Sequence, residues 1–168
     1  LDNMSKGRLD AGFGRAFLPK EFEVYGVPMA ESRERFEEAT GMIRRLWSED
    51  KVTAKGRFWT LEDVHLMPRP YQRPHPPIWI AAISSEESFV YAAKNGFNLM
   101  IVPYAGKPGQ LQELVKLYRR LWAESGHGPG GEHVKRAISF NIVNPGRMEF
   151  VAANDVCIQC HSQGQPRV

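Results

Sequence analysis

Long apolar runs are missing from this chain of 168 residues. The longest, Ile78 to Ile83 and Leu99 to Val102, fall far short of the roughly 18 residues that a membrane span requires, so no transmembrane segment is expected. The N-terminal stretch lacks a charged region followed by an apolar core and a small-residue cleavage site, and no signal peptide is expected. An excess of one charge is lacking too. Lys and Arg total 22 against 19 for Asp and Glu, and the net +3 is scattered without a basic stripe, which argues against nucleic acid as a partner. Cysteine is scarce: Cys157 and Cys160, both in one motif, are the only two.

What is present alternates between strand-like and helix-like patterns. Gly7 to Gly14, with Leu9, Ala11 and Phe13 alternating, reads as a strand, followed by a loop. Residues 31–48 read as a helix, because Phe36, Ala39, Ile43, Leu46 and Trp47 repeat at helical spacing. A short hairpin is expected over 52–60 around Lys55-Gly56, and Pro68, Pro70, Pro74, Pro76 and Pro77 then hold the chain extended. Ile78 to Ile83 is uniformly apolar, as a strand buried on both faces would be. Ser84 and Glu87 make a capping box for a helix running to about Asn95, with Gly96 as its C-cap. A buried strand over 98–102, a helix with Leu111, Leu114, Val115, Tyr118, Leu121 and Trp122 on one stripe, and a strand over 137–143 complete the series. Strands alternating with helices of this length predict βαβ units and a parallel sheet.

Two places in this series can bind an anion. The first strand ends in a Gly12-Phe13-Gly14-Arg15 corner, and Arg33 stands near the start of the helix that follows. Glycines let backbone approach a phosphate closely, arginine offers a planar fork of donors, and a helix N-terminus adds partial positive charge. Ser84, Ser85 and Ser88 lie at a second helix start directly after a strand, where free N–H groups and hydroxyls could serve the same ligand. The plainer alternatives are surface salt bridges for the arginines and an ordinary N-cap for Ser84.

The order of residues from Leu1 to about Asn144 resembles the bacterial luciferase-like flavin monooxygenase family. The matching blocks are 1–8 (Leu-Asp-Asn-Met-Ser-Lys-Gly-Arg), 21–26 (Glu-Phe-Glu-Val-Tyr-Gly), 32–38 (Ser-Arg-Glu-Arg-Phe-Glu-Glu) and 76–82 (Pro-Pro-Ile-Trp-Ile-Ala-Ala). The resemblance implies a (β/α)₈ barrel that uses reduced flavin, FMN or a relative, with molecular oxygen to oxidise a small organic substrate. It further implies a flavin reductase as partner, a homo- or heterodimer and a cytoplasmic setting. It places Arg15 and Arg33 on the flavin phosphate, has Ser84, Ser85 and Ser88 complete the cradle, and lets Phe17 line the isoalloxazine pocket, although an aromatic after a strand also serves as core. A deazaflavin-dependent oxidoreductase of the same superfamily is the sibling reading. Because a whole barrel needs about 250 residues, the chain is expected to hold a partial (β/α)₈ barrel. Roughly four βα units of its middle and later part would occupy 1–144, and the early strands that supply catalytic groups would be absent. No catalytic base can be named.

From Asn144-Pro145-Gly146 onward the periodicity disappears, and 145–168 is expected to be an irregular tail. Cys157-x-x-Cys160-His161 resembles the attachment motif of c-type cytochromes, where two thiols bind haem covalently and the imidazole ligates iron. That resemblance implies Cys157 and Cys160 as haem attachment points, His161 as axial ligand, an electron-transfer role and a periplasmic or other extracytoplasmic setting. His127, His133 and Met148 are the candidates for a distal ligand. A zinc site or a redox-active thiol pair fits less well, since a fourth ligand and a thioredoxin-like setting are both missing. His65 and His75 read as loop residues flanking the proline-rich connector.

Overall fold

The computed structural model describes residues 1–101 and 109–127. The strand expected over 137–143 and the Cys157-Cys160-His161 motif lie outside the described residues, as do His133 and Met148. Within them the order is α1 (Asp2–Ser5), β1 (Ala11–Phe13), α2 (Pro19–Val24), a 3₁₀ turn (Met29–Glu31), α3 (Ser32–Ser48), β2 (Val52–Lys55), β3 (Thr60–Val64), β4 (Ile78–Ala82), α4 (Glu86–Asn95), β5 (Asn98–Ile101) and α5 (Gln110–Glu124). None of the described helices is long and apolar enough to cross a membrane.

The parallel sheet has the order β1-β4-β5, and β2 and β3 form a separate antiparallel hairpin. Register pairs Phe13 with Ile80 and Ile80 with Leu99. Side chains alternate across a strand, so Phe13, Ile80 and Leu99 share one face. On that face Ile78, Ile80 and Ala82 are buried against Ala92 and Phe97, and against Phe89 and Leu114, with Phe36, Trp47 and Tyr118 packed around them. Each large side chain buried here contributes about 1.5–3 kcal/mol. The opposite face is the point of departure from sequence expectation: Trp79 and Ala81 are half-buried, whereas Ile78, Ile80 and Ala82 are buried against the described helices. β5 is likewise half-buried along its length.

Other boundaries moved for local reasons. The first strand is three residues long, Ala11–Phe13, and a turn of helix over Asp2–Ser5, closed by Lys6 in the left-handed region at φ 55°, precedes it. Asp2 is buried, and its carboxylate accepts the Gln72 backbone N–H and side-chain amide, both at 3.0 Å. The loop expected after Arg15 contains α2, with Pro19 at its first turn where a missing N–H costs nothing. The proline-rich connector bends instead of running straight, with cis bonds before Pro68 and Pro74. The capping box does not form: α4 starts at Glu86 with Ser85, not Ser84, as N-cap, and no side-chain cap hydrogen bond is made. The Ser85 hydroxyl is engaged elsewhere. Gly96 does close α4, at φ 69°, with Phe97 N–H donating to Ala92 C=O at 2.9 Å.

Candidate functional site

In a parallel sheet all strands end at one edge, and ligands gather there. Gly14 and Arg15 leave β1 at this edge, and Ile83 to Ser85 leave β4 beside them. Neither Gly12 nor Gly14 takes a positive φ. A Cβ at Gly12 would stand 3.4 Å from the Met100 methyl and one at Gly14 3.6 Å from Ala81, both ordinary contact distances, so neither packing nor backbone angle demands glycine at the corner.

Two arginines converge on this edge. Arg15 Nη1 donates to the Oγ of Ser32, the buried first residue of α3, at 2.8 Å. Arg33, one residue further, reaches across to the second strand end. Its Nη2 donates to Ser85 Oγ at 2.9 Å and lies 3.5 Å from Glu87 Oε2, while Nη1 lies 3.9 Å from Glu37. Ser85 Oγ in turn donates to Glu87 Oε2 at 2.6 Å and accepts a long contact from Ser88 Oγ at 3.5 Å. The Ser85 hydrogen bond holds the Glu87 carboxyl below the ordinary glutamate range, helped by its own N–H, by Arg33 and, at longer reach, by Arg15. Both guanidinium groups therefore act on a single carboxylate.

Arg15, Arg33, Ser85 and Ser88 are thus brought to one rim. Phe17 is 63% exposed and Ser84 is exposed, and neither joins this hydrogen-bonded cluster. His65 is exposed, and His75, whose Nδ1 lies 2.8 Å from the Pro76 C=O, precedes β4 and so sits at the far edge of the sheet. His127 is engaged through Nε2 with the Lys94 C=O at 3.1 Å and packs on Trp122. Sequence reading missed Ser32, Glu37 and Glu87 as members of the cluster. The i, i+4 spacing of Arg33 and Glu37 on one helix was the available signal for Glu37. Nothing local announced that Glu87 would turn toward Arg33.

Beside Arg15 an open cleft of about 270 Å³ is lined by Gly14, Ser32, Arg35, Phe36 and Trp59 among others. Its outer wall is the hairpin, which is fastened to α3 by Glu38. The Glu38 carboxylate accepts the backbone N–H groups of Arg57 (2.9 Å), Phe58 (3.0 Å) and Trp59 (2.9 Å). Arg35 pairs with Glu31 through two nitrogens and stacks over the Phe58 ring at 4.2 Å, which steadies the same wall.

Parallel strands alternating with helices, with two guanidinium groups and several hydroxyls gathered at the C-terminal edge of the sheet, define an α/β protein with a polar cluster at that edge. The sequence model of the luciferase-like monooxygenases matches residues 1–149, and the chain belongs to that family. It is 36% identical over 104 residues to the oxygenase component of a flavin-dependent trigonelline monooxygenase from Acinetobacter baylyi, covering 61% of this chain and 28% of that protein. The crystal structure of the monooxygenase RslO1 from Streptomyces bottropensis superposes with a TM-score of 0.71 at 44% identity, over 74% of this chain and 38% of that one. Two more distant structures share the fold alone. The oxygenating constituent of 3,6-diketocamphane monooxygenase from Pseudomonas putida, in complex with FMN, has a TM-score of 0.64 at 20% identity, over 76% of this chain and 38% of that one. An F420-dependent secondary alcohol dehydrogenase in complex with an F420-acetone adduct has a TM-score of 0.58 at 23% identity, over 87% and 39%. The chain spans well under half the length of each of these relatives. The family match ends before Cys157.

Proposed function

We propose that this chain carries the phosphate-holding part of a flavin-dependent monooxygenase, with Arg15 and Arg33 gripping the phosphate of reduced FMN and Ser84, Ser85 and Ser88 assisting. The single observation that supports this most is the convergence of Arg33 on Ser85 across 52 residues of sequence, at the strand edge where such ligands bind. The residues suit the group: two planar forks and neighbouring hydroxyls match a phosphate that offers only acceptors. When bound, reduced flavin supplies the electrons for the reaction of molecular oxygen with a small organic substrate. The chain's own part is to hold, orient and desolvate. Trp59 and the hairpin give the open cleft beside Arg15 a wall, and the exposed Phe17 ring is proposed to cover the isoalloxazine once the ligand is in place. Partners follow from the same reading: a separate reductase delivers reduced flavin, as the wording "oxygenase component" in a relative's name suggests, and we carry over the homo- or heterodimer that the family resemblance implies.

Titration of the full chain with FMN and with riboflavin tests this. Arg15→Ala and Arg33→Ala should each weaken FMN by about tenfold, the scale of one charge-assisted hydrogen bond, and leave riboflavin alone. Equal FMN affinities in wild type and both variants would remove the assignment. The F420-dependent fold neighbour favours a second reading, a deazaflavin in the same cradle. Tighter binding of F420 than of FMN would select it.

A further inference from the structure

Glu87 occupies the cradle that the phosphate would need. Its Oε2 accepts the hydrogen bond of the Ser85 hydroxyl at 2.6 Å and lies 3.5 Å from the same Arg33 nitrogen that donates to Ser85. Ser85 has one hydroxyl proton, so while Glu87 holds it the hydroxyl can only accept, and an incoming phosphate oxygen also only accepts. Arg33 is engaged on its other nitrogen side by Glu37 at 3.9 Å. Around Arg33 two carboxylates already balance its charge and that of Arg15. A dianionic phosphate entering this arrangement meets a carboxylate head-on, and like charges at such range repel. Of the members, Glu87 is the one free to leave: its side chain is 68% exposed, against 33% for Arg33 and 38% for Glu37. Swinging it out strips no water from it and returns to the ligand both the Ser85 proton and the Arg33 nitrogen.

We infer that Glu87 is an internal competitor for the phosphate, a carboxylate that keeps Arg33 and Ser85 paired in the free protein and sets the cofactor affinity by having to be displaced. This rests on the phosphate reading of Arg33 and Ser85 given above. It makes Glu87 a residue that tunes affinity and specificity by subtraction: phosphorylated flavin must overcome it, and unphosphorylated flavin does not encounter it.

The test is the affinity of the full chain for FMN and for riboflavin in wild type, Glu87→Gln, Glu87→Ala, Arg33→Ala and the Glu87→Gln/Arg33→Ala double variant. Glu87→Gln should tighten FMN by roughly two- to fivefold, the scale of an exposed ion pair, and the gain should shrink as salt is raised. Glu87→Ala, which frees the Ser85 proton outright, should gain at least as much. Riboflavin should bind all five proteins alike, and the gain should vanish in the double variant. If Arg33→Ala weakens FMN but neither Glu87 variant tightens it, the competitor role is overturned while the phosphate site stands. Equal tightening of FMN and riboflavin overturns it as well, because the effect would then not pass through the phosphate. If wild type does not bind FMN, or Arg33→Ala binds it unchanged, the phosphate reading itself fails and Glu87 with it.

Discussion

Two glutamates on neighbouring helices hold their charge in opposite ways. Glu38 on α3 is gripped by three consecutive backbone N–H groups of the hairpin turn, and Gly56 is packed so closely that a Cβ there would overlap the carboxylate. Glu87 on α4 is held by one serine hydroxyl and one guanidinium, with most of its side chain in water. Backbone donors cannot turn away, so the Glu38 anion belongs to the fold and locks the hairpin onto α3. Side-chain donors can change partner, so the Glu87 anion is replaceable, and the donors it leaves behind are the ones a phosphate requires. A carboxylate bound by main chain marks architecture, and one bound by rotatable groups marks a site.

The largest effect comes from removing what both regions stand on. Phe89 follows Ser88 directly and is fully buried between Ala82 and Leu114, so Phe89→Ala should cost about 3–5 kcal/mol. Chemical denaturation measures it, and FMN affinity should fall along with stability because the first turn of α4 loses its anchor. A cost under about 1 kcal/mol would mean that the packing under the rim is looser than the buried contacts indicate. Next comes the direct contrast. Glu38→Gln leaves one acceptor oxygen for three N–H groups and turns an NH₂ toward them, and should lower the melting temperature by several degrees. Glu87→Gln should shift it far less. Equal shifts for the two would erase the distinction. Smaller still is Thr40→Val. Thr40 Oγ1 and Tyr91 Oη lie 2.6 Å apart, joining the helix that carries Arg33 to the helix that carries Ser85. Tyr91 keeps the Glu37 C=O as acceptor at 3.2 Å, so the loss should be about 1 kcal/mol in a thermal or urea melt.

The same division explains how much was legible in the sequence. Periodicity located α3, α4, α5 and the β4 and β5 strands because apolar spacing is written into neighbouring residues, and Gly96 announced the end of α4 because few other residues tolerate its φ. The blocks at 1–8, 21–26, 32–38 and 76–82 all lie within the stretch that the family model matches. Arg15, Arg33, Ser85 and Ser88 were named from strand-end and helix-start chemistry, and they do gather at one rim. What escaped depends on tertiary choices. Ser84 and Glu87 match a capping box in spacing, yet Ser85 takes the cap position because its hydroxyl is drawn to Arg33 and Glu87. The uniformly apolar β4 reads as doubly buried, since sequence records apolarity and not which face a helix covers. No local pattern links Glu38 to residues 57–59, because that lock is made by backbone N–H groups, which every residue but proline possesses.

Acid should separate the two carboxylates most finely. Partial burial works to raise the Glu38 pKa, and the N–H donors of Trp59, Phe58 and Arg57, with Arg35 nearby, outweigh it, so the folded value lies below the ordinary glutamate range. The folded value of Glu87 is lowered too, first by Ser85. A group whose pKa is lower folded than unfolded contributes stability that is present above the unfolded value and is lost as pH falls through the folded one. Both contributions should therefore persist at neutral pH and disappear only on the acid side of the usual carboxylate range. The comparison is sharpened by following melting temperature from neutral pH down through that range. Glu38→Gln should flatten part of the acid decline, because its lock no longer titrates, whereas Glu87→Gln should leave the stability curve nearly parallel to wild type. In FMN binding the order should reverse. Wild type should approach the Glu87→Gln affinity as acid neutralises the competitor, once the protonation of FMN itself, read from the Glu87→Gln curve, is taken into account. A wild-type affinity that falls in parallel with that of Glu87→Gln throughout would show that the carboxylate never stood in the way.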